Sequence, residues 1–201
     1  MGCGPGIVVG ALRSQGYDIW GVELGEPAVR AAAAPYVTVG TRAEDLDGSF
    51  RDSIETVLLL DVIEHVEDDV AFLAAVLSAC PRCRCVIVTV PARPEVWSNY
   101  DEYFGHFRRY TRETLAGALR QAGVKPVAVR YFFHALYLAA RLINALGRKR
   151  TVSFARPSAL PLQRLVAAGL GLEDRLIGSA ALPGLSLLAV ARVAPGRAER
   201  P

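Results

Sequence analysis

No stretch of the 201 residues runs apolar without a charge for the roughly 18 positions that a membrane-crossing helix needs. The nearest approach, Tyr131 to Leu146, carries His134 and Arg141. The sequence therefore predicts a soluble chain and leaves open a habit of lying on a membrane surface. No secretory leader is expected, because Met1 is followed at once by a glycine-rich turn and not by a charged segment and an apolar run. Surplus charge of one sign is also missing. The 23 basic and 20 acidic residues leave a net +3, and the basic ones are scattered apart from Arg148-Lys149-Arg150, which argues against a nucleic-acid-binding face. Cysteine is sparse. Three of the four sit in Cys80-Pro81-Arg82-Cys83-Arg84-Cys85, and no nearby histidine or second cysteine pair offers the fourth ligand of a structural zinc. The expectation is reduced thiols in a cytoplasmic protein, with no metal site. What is plentiful is apolar surface: 52% of the residues are hydrophobic against 21% charged, enough for a large core and against global disorder.

The chain length suits a single domain, and its elements alternate, which predicts a parallel sheet covered by helices. Gly2 to Gly6 is a glycine-rich turn. Helices are expected over Ile7 to Gln15 and Ala28 to Ala34, the latter from strong helix formers after Pro27. Short strands are expected over Asp18 to Glu23 and Tyr36 to Val39. Ile54 to Leu60 is a continuous apolar run, the mark of a strand buried on both faces. Asp68 or Asp69 caps a helix whose apolar residues Phe72, Leu73, Val76, Leu77 and Cys80 recur at helical spacing, and Pro81 stops it. Cys85 to Val90 is a further buried strand. Thr111 caps a helix closed by Gly123. Val127 to Phe132 and Ser186 to Val193 read as the last two strands. Between them, Leu- and Ala-rich sequence fits two amphipathic helices, His134 to Leu146 and Leu160 to Ile177, joined by a basic connector from Gly147 to Pro157.

Two features carry chemistry. Glycines let a backbone turn sharply and approach a ligand closely. An acid at the end of the next strand, Glu23, can accept both hydroxyls of a ribose, an order of turn, helix, strand and acid that nucleoside sites need. The second feature is the polar loop holding Tyr100, Asp101, His106, Arg108, Arg109 and Tyr110. It follows a parallel strand and so leaves the sheet on the side where ligands bind. His106 is a candidate for acceptor contact or proton removal and Tyr110 is the second candidate. Arg108 and Arg109 read equally as ion-pair partners, and His65 as a histidine that braces its loop.

Gly2-Cys3-Gly4-Pro5-Gly6 resembles motif I of the class I S-adenosylmethionine-dependent methyltransferases. Asp61-Val62-Ile63-Glu64-His65-Val66 resembles the segment after the fourth strand of that superfamily. Gly105-His106-Phe107-Arg108-Arg109-Tyr110-Thr111, and the run from Leu172-Glu173-Asp174 through Leu182-Pro183-Gly184-Leu185-Ser186, resemble its methyltransferase domain 23 branch. The resemblance implies a Rossmann-like, doubly wound α/β fold with a mostly parallel sheet, an antiparallel last strand and a helical insert before it, at 133–183. It implies S-adenosylmethionine as cofactor. Gly2, Cys3, Gly4 and Gly6 would lie against its methionine part, with Glu23 on the ribose, Ala43 and Glu44 beside the adenine, and Asp61 and Val62 beside the methyl donor. Arg42 stands where the family often has an acid, which leaves the adenine contact to Asp45 or to backbone.

The superfamily has a helix and a central strand ahead of motif I. Met1 stands where that strand would end, so the expectation is a single domain, 1–201, lacking both and poorly folded by itself. The expected activity is methyl transfer to a small, hydrophobic or lipid-linked acceptor, with the insert roofing the pocket and touching a membrane surface. The alternatives are a non-catalytic nucleoside-binding remnant of the fold and a nicotinamide-dependent oxidoreductase. The second of these leaves Asp61 to Val66 and Gly105 to Thr111 without a role.

Overall fold

The computed structural model describes residues 1–149, 160–177 and 182–193. Its helices are α1 (Ile7–Arg13), α2 (Gly48–Ser53), α3 (Asp69–Ala79), α4 (Asn99–Phe104), α5 (Arg112–Gln121), α6 (His134–Ala145) and α7 (Leu160–Ile177). Its strands are β1 (Gly21–Glu23), β2 (Val37–Val39), β3 (Thr56–Leu60), β4 (Cys85–Pro91), β5 (Val124–Phe132) and β6 (Ser186–Val193). Strands β1 and β2 pair in parallel as one small sheet, and the other four form a second sheet in the order β3-β4-β6-β5. In the second sheet β3 and β4 run parallel, and β6 lies antiparallel between β4 and β5. The Rossmann-like α/β expectation with an antiparallel last strand therefore holds. The first residues join the two sheets: the Met1 ammonium donates to the Leu58 carbonyl (2.8 Å) and the Cys3 N–H to the Val22 carbonyl (3.3 Å).

One core forms because period-two strands turn one face toward helical stripes. Leu59, Val86, Val88, Val90, Leu187, Ala189 and Ala191 point into it and meet Leu73, Val76 and Leu77 of α3 and Leu115 and Leu119 of α5. The β3 run is not buried on both faces as its composition suggests. Val57 and Leu59 are buried, whereas Leu58 and Leu60, pointing the other way, are only half-buried, because α3 and α5 cover one side of the sheet. Local signals set several ends. The Asp68 carboxylate accepts from Ala71 N–H (2.9 Å) at the start of α3, and Thr111 and Thr114 form a reciprocal cap on α5.

The predicted helix over Ala28 to Ala34 is absent. The Arg30 N–H donates to the Pro5 carbonyl of the glycine turn (3.0 Å), and Ala34 begins a 3₁₀ turn through Pro35 and Tyr36. A tertiary hydrogen bond and a proline overrule the propensity of the alanines. Helices α2 and α4 were not expected. Each is a capped helix of 6 residues, under two turns and too short for a periodic signal. The Asp47 carboxylate caps the first, and a Ser98–Asp101 capping box holds the second.

The insert helices dock where β4 ends. Tyr137 and Ala140 of α6 pack with Val96 and Leu185. The Tyr137 hydroxyl donates to Glu95 (3.1 Å) and the Asn144 amide to the Trp97 carbonyl (3.0 Å). The Glu173 carboxylate of α7 accepts the first N–H groups of α6, those of His134 (2.6 Å) and Ala135 (3.0 Å), a charge placed favourably at a helix N-terminus. Part of the expected basic connector, 150–157, lies outside the described residues.

Candidate active site

The glycine turn is built for contact, not for flexibility. Gly2 has φ +63°, and a Cβ there would lie 2.7 Å from Val62 Cγ2. Gly6, at φ +76°, would place a Cβ 2.6 Å from that of Ala33 while serving as the left-handed cap of α1. The turn is thus pressed between the Asp61–Val66 segment on one side and the chain after β1 on the other. Glu23, half-buried at the end of β1, accepts from the Gly4 N–H with one oxygen (2.7 Å) and the Gly25 N–H with the other (3.1 Å). An ionised carboxylate has about four acceptor positions, so both oxygens keep capacity for further hydroxyl donors.

Beyond β2 the chain stays at the same end, with the Thr41 N–H reaching the Glu23 carbonyl at 3.4 Å. Ala43 is buried in the main core, whereas Glu44 is exposed and paired to Arg42 at 3.7 Å. Asp61, at the end of β3, takes a left-handed backbone (φ 54°) that non-glycine residues seldom adopt. Its N–H donates to the Thr89 carbonyl, and the Thr89 hydroxyl donates to its carboxylate (3.2 Å). Crowding of that carboxyl by the chain raises its pKa, against the opposing pull of Thr89, His106 and His65. The structure brings Gly2 to Gly6, Glu23, Ala43, Asp61 and Val62 to one end of the parallel strands. It turns the Glu44 side chain to solvent.

The loop after β4 is organised by one residue that the sequence reading left without a role. Asp101 is fully buried. Its carboxylate accepts from the Ser98 N–H (2.9 Å), the His106 ring at Nδ1 (2.9 Å) and the Arg109 Nε–H (2.6 Å). Burial by itself would raise its pKa, but the bonds from His106 and Arg109 outweigh that and hold the carboxyl below its ordinary value. Arg109 also donates to the Ala92 carbonyl (3.0 Å). Gly105 caps α4 in a left-handed turn, and the Phe107 N–H donates to the Glu64 carbonyl (2.8 Å). His106 is thereby carried onto His65, with ring centroids 4.7 Å apart and edge to face. Burial and the neighbouring His106 push the His65 pKa down, while the Phe104 and Gly105 carbonyls act the other way.

Tyr110 corrects an expectation. Its hydroxyl is buried and donates to the Asp69 carboxylate at 2.6 Å. Burial first, then Asp69, pushes its pKa far above the ordinary value. A phenol locked to a carboxylate within the core neither reaches an acceptor nor takes up a proton from one. Arg108 and Arg109 are ion-pair partners, of Asp69 (3.1 Å) and Asp101 respectively. Glu64, one position before His65, is buried with neither carboxylate oxygen hydrogen-bonded. The periodicity of the sequence carries no signal for that, because the 3₁₀ turn holding it is three residues long.

A family model described as a methyltransferase domain matches residues 1–129. The ubiquinone biosynthesis O-methyltransferase of Pseudomonas aeruginosa strain UCBPP-PA14 is 31% identical over 93 residues, covering 41% of this chain and 37% of that protein. The chain thus spans little more than a third of the curated relatives it matches. Among solved structures, an S-adenosylmethionine-dependent methyltransferase from Mesorhizobium loti aligns with a TM-score of 0.55 at 16% identity, over 95% of this chain and 88% of that one. A Burkholderia thailandensis 1,6-didemethyltoxoflavin N1-methyltransferase, solved with its substrate and S-adenosylhomocysteine, aligns with a TM-score of 0.52 at 19% identity, over 96% and 68%. These two likenesses concern the fold. The family match gives the nicotinamide alternative no support, and the chain belongs to the methyltransferase-domain family.

Proposed function

We propose that this member of the methyltransferase-domain family transfers a methyl group from S-adenosylmethionine to a hydroxyl of a small, hydrophobic acceptor. The observation that carries the reading is the contact of Gly2 with Val62 together with the 2.7 Å bond from Gly4 to Glu23. It joins the glycine turn, the strand-end acid and the Asp61–Val66 segment at one end of the parallel strands, where ligands of such sheets bind. When bound, the cofactor would supply an electrophilic methyl group on a sulfonium. The residues present fit it. A Cβ at Gly4 would meet nothing within 4 Å, so the turn is open there to close approach, and Glu23 retains acceptor capacity for two ribose hydroxyls. Ala43 would lie near the adenine, Asp61 and Val62 near the methyl donor.

The protein's own work is alignment and exclusion of water. An acceptor hydroxyl must also lose its proton, and the His65–His106 pair beside Asp61 is where the titratable groups gather. The hydroxyl is favoured because the curated relatives are O-methyltransferases. Hydrophobic character is supported by α6 and its C-terminal cap, which leave Leu138, Leu142 and Leu146 exposed at a spacing of four, and by Leu172 and Leu176 on α7. An open depression of about 460 Å³ between α6 and Glu95 adjoins the loop after β4. The same leucines suit contact with a membrane surface, and no helix among the described residues is long and apolar enough to cross one.

Titration calorimetry with S-adenosylhomocysteine tests the nucleoside site. Glu23→Ala is expected to weaken binding by roughly 1.5–3 kcal/mol, the loss for hydrogen bonds to a charged group. An affinity equal to that of the unaltered protein would remove Glu23 from the site.

A further inference from the structure

We propose that Glu64, His65 and His106 form a binding site for a divalent cation of the zinc class. The starting point is Glu64. Its side chain is wholly buried, and neither oxygen has a hydrogen-bond partner. An acceptor left in that condition is costly, and proteins seldom tolerate it without a proton, a water or an ion. Arg109, whose charge acts on Glu64, already serves Asp101 and the Ala92 carbonyl. The nearest ring nitrogen, His65 Nε2, stands 4.0 Å from Glu64 Oε1, too far for a hydrogen bond.

His106 completes the set. Its Nδ1 is held by the buried Asp101 carboxylate at 2.9 Å, which leaves Nε2 as its free nitrogen. A carboxylate behind an imidazole is the arrangement that fixes the tautomer and direction of metal-binding histidines. Glu64, His65 and His106 each offer one ligand atom, all within 4.8 Å of one another. Ligands of a tetrahedral zinc stand about 3.3 Å apart, given bonds of about 2.0–2.1 Å, so binding would draw the three inward by roughly an ångström. Two imidazoles and a carboxylate suit zinc, cobalt and their neighbours and not the hard cations that prefer oxygen alone. Three protein ligands would leave a fourth position open, as in catalytic sites. The inference deepens the methyl-transfer reading and rests on it only for the role of the cation: at that open position an acceptor hydroxyl would be acidified. The sequence, read for cysteine clusters, predicted no metal.

The test uses the full chain, stripped of metal and titrated with Co(II) and then Zn(II). The expected result is one equivalent of Co(II), giving visible d–d bands without the sulfur-to-metal charge-transfer band that cysteine ligation would add. Zn(II) should displace it. Glu64→Gln and His106→Ala should each abolish stoichiometric binding, and Asp101→Asn should weaken it about 10–100-fold, the usual effect of losing an orienting partner. If Glu64→Gln does not fold by circular dichroism, His65→Ala and His106→Ala carry the decision. No saturable binding, a thiolate band, or affinity unchanged in the histidine variants would each overturn the site. S-adenosylhomocysteine is titrated on the same samples. Nucleoside binding without metal binding defeats this inference alone, and metal binding without nucleoside binding defeats the functional reading.

Discussion

Replacing Tyr110 by Phe separates a structural hydroxyl from a catalytic one. The hydroxyl donates at 2.6 Å to the Asp69 Oδ2, and both residues are buried. Phe keeps the ring in the core, so little packing is lost. What disappears is one hydrogen bond to a charged acceptor, worth about 1.5–3 kcal/mol. Asp69 is not left wholly alone, because Arg108 still pairs with Oδ1 at 3.1 Å. The lower half of the range is therefore expected if Arg108 can shift toward the vacated oxygen. For a chain of this size each kcal/mol moves the melting temperature by about 2–4 °C, so the midpoint should fall by about 3–12 °C. Asp69→Asn combined with Tyr110→Phe should cost clearly less than the sum of the two single changes, since they share one interaction. Calorimetric melts of the four proteins read both quantities, and S-adenosylhomocysteine affinity should stay unchanged in Tyr110→Phe. A melting curve identical to that of the unaltered protein would refute the reasoning and return the hydroxyl to the list of groups that touch a reacting molecule.

Gly2→Ala should destabilise the protein by about 1–3 kcal/mol from its left-handed backbone, and its Cβ would also meet Val62 Cγ2 at 2.7 Å. Adding Val62→Ala should recover only the steric share, and a neutral Gly2→Ala in thermal melts would show that the close approach does not matter. Burial pushes the Cys83 thiol from 9.0 up to about 11. Below pH 9 it is protonated in both states and has no effect. Above pH 9 the unfolded chain releases its proton first, so stability falls as pH rises, by about 2–3 kcal/mol near pH 11. Cys83→Ser should flatten that alkaline fall in chemical denaturation measured across the range, and an unaltered slope would contradict the shift.

The order and kind of most elements are legible in the residues alone. Those signals are local: Thr111 caps α5, Pro81 ends α3, and the spacing of apolar residues marks α7 and β6 within the bounds observed. The residues also show which motifs can meet, because glycines at 2, 4 and 6 and an acid at 23 limit the backbone and charge at the end of β1. Where side chains point follows from packing between distant segments. Ala28 to Ala34 carry helix propensity, yet the Arg30 N–H is taken by Pro5. Tyr110 and His106 sit four residues apart in one polar loop, and one is driven into the core against Asp69 while the other is held by Asp101 against His65. Glu64 and His65 are adjacent, and the single step buries one carboxylate and exposes the next ring. Irregular loops have no periodicity to read, so the direction of each side chain there follows from hydrogen bonds to residues distant in sequence and from which space the packed core leaves free.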